Sequence, residues 1–152
     1  MNIELNTYLK GILLIILAFS AWRDLKEQRI PNEYIIRGIC IRILFIISEV
    51  ALNGADAIGN FLIKAGIGLI ILGAGLLLRK VTKYGVGMGD IKLISLMYLY
   101  LDFNVWINAV CLSMILGLLY AVCVRIRLQK ENRFPFAPAL FLGTILSIIM
   151  IK

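Results

Sequence analysis

Histidine is absent from all 152 residues. That absence removes every Ser–His or Cys–His nucleophile pair and every H-E-x-x-H zinc site. Cysteine is scarce: Cys40, Cys111 and Cys123 stand singly inside apolar stretches, with no C-x-x-C among them. Isolated thiols of this kind are expected to be buried packing residues in helices, not ligands or redox centres. Neither a metal nor a cofactor is therefore expected. Polar residues are also in short supply. The chain is 61% hydrophobic with a mean hydropathy of +0.94, where soluble domains run at about 45–50%. One aqueous core cannot hide that excess, so the expected solvent is lipid.

The formal charge is +7, from 16 Lys+Arg against 9 Asp+Glu. Nucleic acid is not the expected partner, because the bases sit in short clusters between long apolar runs. Loops facing an anionic leaflet read this way. Six apolar segments approach membrane length: Tyr8–Trp22, Tyr34–Leu52, Phe61–Leu78, Ile91–Leu101, Val105–Val124 and Ala139–Ile151. The expected fold class is all-α, a polytopic membrane protein with about six transmembrane helices in one bundle. Residues 1–152 are expected to form a single transmembrane domain. The first, fourth and sixth segments are short, so tilt, thinning or non-helical backbone must make up the difference. The first run ends in Trp22-Arg23-Asp24 with no small-residue cleavage site, and is expected to be a membrane helix rather than a cleaved signal.

Orientation follows from the loops. Arg23, Lys26 and Arg29 follow the first segment; Arg79, Lys80 and Lys83 follow the third; Arg125, Arg127, Lys130 and Arg133 follow the fifth. The other side offers only Lys10, Lys64 and Lys152. Positive loops stay in the cytoplasm, which predicts both termini outside and three cytoplasmic loops. Arg37, Arg42 and Glu49 fall within the second segment. Arg37 is close enough to the interface to snorkel, and Arg42 is expected to pair inside the bundle.

Two aspartates stand at predicted cytoplasmic helix ends. Asp24 closes the first apolar segment and Asp90 opens the fourth. Carboxylates at membrane depth are expensive and point to function, although an Asp at a helix end is also an ordinary capping residue. The glycines around Asp90 tilt that balance. Gly85, Gly87 and Gly89 fall within five residues, and each costs about 1 kcal/mol against Ala in a helix. This stretch is expected to be irregular backbone partly at membrane depth, which lipid tolerates only when it is buried in protein or faces a wet cavity. A nucleotide loop does not fit, because Asp90 occupies the position of the third Gly in G-x-G-x-x-G and no G-K-[ST] is present.

Gly87-Met88-Gly89-Asp90-Ile91-Lys92 resembles the G-x-G-D-x-K motif of the type IV prepilin peptidases. Asp24 followed by Ile30-Pro31-Asn32 is similar to that family's first aspartate with its downstream I-P-N. Phe134-Pro135-Phe136-Ala137-Pro138 resembles the P-F-G-P that opens the last helix, with Ala137 where Gly is usual. The three motifs occur in order and span about Ala18 to Gly143.

The resemblance implies an aspartic endopeptidase of the bacterial inner membrane, working at the cytoplasmic face in pilus assembly or secretion. Its substrate would be a prepilin or pseudopilin with a basic leader and a hydrophobic helix, cut just after a glycine. Asp24 and Asp90 would be the catalytic pair. Gly87 and Gly89 would shape the site together with Pro31 and Asn32, and Lys92 matches the motif lysine without an assigned role. Longer members carry paired C-x-x-C zinc ligands and also N-methylate the new terminus; without such cysteines here, methylation is not expected. From another class, a non-catalytic scaffold or small transporter would use Arg42, Asp24 and Asp90 as packing or ion-path groups.

The orientation has a direct test. Once the native cysteines are removed, cysteines introduced near Gln28 and Lys83 should resist an impermeant thiol reagent in intact cells, while one near Asp56 should react. The reverse pattern would invert the topology.

Overall fold

The computed structural model describes residues 3–54, 56–83, 87–128 and 135–151. Gly85, Lys130, Arg133, Phe134 and Lys152, all named above, lie outside them. The described residues form six helices and no strand: α1 (Ile3–Glu27), α2 (Asn32–Asn53), α3 (Asp56–Val81), α4 (Met88–Tyr100), α5 (Phe103–Leu128) and α6 (Ala137–Met150). Each apolar segment of the sequence lies within or closely overlaps one helix. Three stretches are long and apolar enough to cross a membrane, judged by length and composition: Leu5–Glu27, Asp56–Val81 and Phe103–Cys123. α2 has the length, but it carries Glu33, Arg37, Arg42 and Glu49. α4 and α6 have only 13 and 14 residues. The first segment is not short after all: α1 has 25 residues, because the helix runs on past the apolar stretch at both ends.

Large apolar side chains are exposed along the outer surfaces, among them Leu62, Ile63, Leu69, Ile70 and Leu77 of α3. Contiguous apolar exposure of this kind suits contact with lipid and not with water. The cysteines correct an expectation. All three are free and exposed, because a small apolar side chain faces hydrocarbon at no cost and need not be buried in protein.

The chain forms two compact units, one of residues 1–13 and 31–101, the other of residues 14–30 and 102–152. In the first, α2 and α4 run in the same direction. Tyr100 Oη donates to Gly38 O at 2.6 Å, and Arg42 Nε to Leu99 O at 2.9 Å. α3 runs the opposite way against α4: Ser95 Oγ donates to Gly68 O at 2.7 Å, and a Cβ on Gly75 would overlap Ile91 Cγ2. Small residues thus let α3 approach α4 closely, as in lipid-embedded helix pairs. α4 buries Ile91, Leu93, Leu96, Met97, Tyr98 and Tyr100, so its burial runs around the helix and not along one stripe. Its antiparallel and parallel neighbours bring the starts of α2 and α4 and the basic end of α3 (Arg79, Lys80) to one end of this unit.

At the other end Arg42, only 3% exposed, forms the expected internal pair. It meets Glu49 through two hydrogen bonds, at 2.9 and 3.3 Å. Phe61 lies against its guanidinium at 5.5 Å. Lys64 Nζ donates to Leu101 O at 3.3 Å. Arg42, Glu49, Asp56, Asn60, Phe61 and Lys64 line a cavity of about 240 Å³.

In the second unit α5 and α6 pack antiparallel. Ser147 Oγ donates to Val105 O at 2.7 Å. One turn and more along, Gly143 sits hard against α5. A Cβ there would overlap Ser113 Oγ and lie 2.7 Å from Ser113 N and 2.8 Å from Ala109 O. The hydroxyls of Ser20, Ser113 and Thr144 return to carbonyls four residues earlier at 2.6–2.9 Å, which satisfies them where water is scarce.

Because backbone atoms cannot move aside as a flexible side chain can, Gly143→Ala should push α6 off α5. Overpacking of this kind costs about 1–3 kcal/mol, so the thermal midpoint in detergent should fall by several degrees. An unchanged midpoint would show that the α5–α6 contact is looser than described.

Candidate active site

Asp24 lies in the last turn of α1 and is 6% exposed. Its Oδ2 accepts a hydrogen bond from the backbone N–H of Ala137 at 3.0 Å. Ala137 is the first residue of α6 and follows the cap residue Phe136, with proline in the first two helical positions. The first N–H groups of a helix have no partner within it and carry the positive end of the dipole. Pro138 has no N–H to offer, so the free donors at this end converge on few positions. A carboxylate is the natural acceptor there. The third motif of the sequence, noted above without a role, thereby acquires one: its backbone holds Asp24.

Beyond Asp24 the chain turns at once. Gln28 adopts φ 51° and its N–H bonds Asp24 O at 2.9 Å, closing α1. Arg23 pairs with Glu27, and Lys26 lies 4.7 Å from the Trp22 ring, an aromatic and basic end typical of a membrane interface. Pro31 then caps α2 in extended conformation, φ −63° and ψ 136°, and Asn32 is the first residue of that helix.

Asp90 is the third residue of α4, in the other unit, and is half-buried. Gly87 caps the helix in extended conformation with φ −65° and ψ 132°. Any residue can adopt that backbone, so the need for glycine is a need for space. A Cβ at Gly87 would overlap Asp90 Oδ2 and come within 3.3 Å of its Cγ. The carboxyl therefore folds back over the cap residue, as acidic side chains at this helical position do. Here the structure corrects the expectation of irregular backbone through Gly89: Gly89 already belongs to α4. A single glycine in a first turn costs about 1 kcal/mol at most, and the burial of α4 outweighs it.

Lys92 joins two of the motifs. Its Nζ donates to Asn32 Oδ1 at 2.8 Å, across 60 residues of sequence. The start of α4 is thus tied to the start of α2. Gly75 adds a contact that no motif flagged, since it gives Ile91, the neighbour of Asp90, its place against α3. Among the described residues no group of three His, Cys, Asp or Glu could hold a metal ion.

The family model of the type IV leader peptidases matches residues 11–122. The chain belongs to that family. Over 148 residues it is 28% identical to the prepilin leader peptidase/N-methyltransferase of Bacillus subtilis (strain 168), covering 96% of this chain and 57% of that protein. The chain thus spans a little over half the length of this curated relative. No solved structure matches it.

The packing at Gly87 sets a test. Gly87→Ala adds one methyl group where the Asp90 carboxyl now lies, and under the peptidase reading proposed below it should lower leader-peptide cleavage by about tenfold or more, as small misplacements of reacting groups do. Its abundance in the membrane should match the wild type. Full activity in this variant would mean that the observed Asp90 position is not the working one.

Proposed function

We propose that this leader-peptidase family member is an aspartic endopeptidase that removes the short basic leader of prepilin-like proteins, with Asp24 and Asp90 as its catalytic pair. The observation that carries the reading is the contact of Asp24 with Ala137. It joins two motifs 113 residues apart around a buried carboxylate. In support, each aspartate stands at the end of its unit where basic residues gather, Arg23 and Lys26 for Asp24, Arg79 and Lys80 for Asp90. That arrangement suits a cytoplasmic site in a bacterial inner membrane, and an anionic leaflet beside it. All six helices would cross or enter the bilayer. The substrate's basic leader and hydrophobic helix would suit such a boundary, and no nucleic acid is involved.

The chemistry needs only the two carboxyls and water. Two carboxylates brought together tend to share one proton. The ionised one takes a proton from water as the water oxygen attacks the scissile carbonyl carbon. The protonated one gives its proton to the carbonyl oxygen, forming a tetrahedral diol. Collapse of the diol breaks the C–N bond as a proton passes to the leaving nitrogen. The products are a leader with a new carboxyl terminus and a pilin with a new amino terminus. Methylation of that terminus is not part of the proposal: the chain has no paired cysteines, and the product should gain no mass beyond the cleaved amine.

Purified protein in detergent, given a prepilin-like peptide, should release the leader. Asp24→Asn and Asp90→Asn keep size and shape and should each abolish release, with the double variant no worse than either, because the pair acts as a unit. Chelators and thiol or serine reagents should leave cleavage intact, and the pH profile should be bell-shaped and belong to the pair. Substantial release by either single variant would overturn the aspartic mechanism and favour a scaffold.

A further inference from the structure

Lys92 stands two residues beyond Asp90. In a helix that places it about 200° further round the axis, so its side chain leaves α4 on the face away from Asp90. The partner it finds there is a neutral amide: Nζ donates to Asn32 Oδ1 at 2.8 Å, and Asn32 is the first residue of α2. Among the described residues Lys92 thus bonds neither a carboxylate nor a helix C-terminus. The contact joins the first turns of two parallel helices. Tyr100 to Gly38 and Arg42 to Leu99 tie the same two helices further along, and the Lys92 bond ties them at the end that carries Asp90. Asn32 in turn follows Pro31, the rigid close of the segment that leaves α1 after Asp24.

Energetics separates this role from plain stabilisation. Asn32 is exposed and Lys92 half-buried, so the bond contributes little to folding, as exposed charged contacts generally do. Its effect on geometry is another matter. Without that bond α4 would keep its buried face, including Ile91 against α3, and its far-end contacts, while the turn bearing Asp90 would lose one of its holds against α2.

We infer that Lys92 and Asn32 form a positioning latch, which holds the first turn of α4 against the first turn of α2 and so sets the placement of Asp90 during peptide cleavage. The inference rests on the peptidase reading above. It assigns Lys92 no proton transfer and no contact with substrate.

The test is a double-mutant cycle on purified protein with a prepilin-like peptide. Lys92→Met and Asn32→Ala should each lower kcat about tenfold with KM within about twofold, in the range that slight misplacement of a reacting group produces. The double variant should fall no further than either single, since both remove one bond. Thermal midpoints should stay within about 2 °C of the wild type, as for an exposed contact of small energy. The shape of the pH profile should not change in either variant. The exchanged pair, Lys92→Asn with Asn32→Lys, should recover most of the lost kcat.

Three outcomes in kcat would each overturn the latch: the wild-type value in both single variants, multiplied losses in the double variant, or a loss in Lys92→Met that Asn32→Ala does not share. The last would assign Lys92 a direct part in the reaction. A large fall in the thermal midpoint of both variants, without recovery in the exchanged pair, would make the bond merely structural and also overturn the latch. Failure of the peptidase reading is distinct from all of these, because the wild type itself would then release no leader.

Discussion

A helix of 13 residues is about 20 Å long, against a hydrocarbon thickness of about 30 Å, so in the membrane placement proposed above α4 cannot satisfy both of its ends in water. Its last carbonyls have no partner within the helix, and its last turn contains no base. The donors come from elsewhere in the unit: Arg42 of α2 reaches Leu99 O, and Lys64 of α3 reaches Leu101 O. Both cations also oppose the negative end of the α4 dipole. Arg42 can serve there only because Glu49 answers its charge; removing one partner of a buried ion pair costs about 3–5 kcal/mol, whereas exchanging both for apolar groups can cost nothing. The pair is therefore better understood as an anchor for the far end of α4 than as a source of stability. With that end fixed, the opposite end is left to carry Asp90.

The same rule about helix ends governs Asp24. A buried carboxylate needs donors that do not themselves require solvation, and the first N–H of α6 is such a donor. Ala137 is itself fully buried, and so are Leu140, Thr144 and Ser147 along the same helix. α6 is thus seated by its buried face, and the close approach of Gly143 to α5 fixes its height. The N–H that meets Asp24 is placed by packing several turns away. Each aspartate in its own unit lies at a helix start: Asp24 at α6 and Asp90 in α4. Partial positive charge supports a carboxylate in both places.

Much of this was legible in the sequence. Long apolar runs, with basic clusters after the first, third and fifth, located all six helices, because in lipid the hydrophobic signal is strong and every backbone group must be paired within the segment. Asp24 and Asp90 stood out because each sits at the end of an apolar segment inside unusual local sequence, glycines in the case of Asp90. The ends of the elements were less legible. α1 runs well past its apolar stretch, and α4 begins at Met88, since hydropathy marks where lipid begins and not where hydrogen bonding stops. The cysteines were misplaced for a related reason: an apolar residue in a membrane helix has two apolar environments to choose from. Least legible were Ala137, Gly75 and Gly143. Ala137 acts through a backbone N–H that any residue but proline possesses, and the two glycines act by what they lack.

Those less legible residues explain what the motifs are. Asp24 meets Ala137 across 113 residues, and Asn32 meets Lys92 across 60. Each contact takes one side from one motif and the other side from another, so the motifs are halves of tertiary contacts at helix ends. Between them lie stretches such as Leu62 to Leu77, whose exposed side chains face lipid and need only be apolar and fill no defined hole. Substitution there is absorbed by the solvent. A change at a buried helix end such as the Asp24–Ala137 contact is not, because the donor or acceptor left behind has no water to turn to. Identity of 28% over nearly the whole chain leaves most positions changed, and exposed apolar surfaces absorb such change more readily than contacts that close a buried helix end or let two backbones touch.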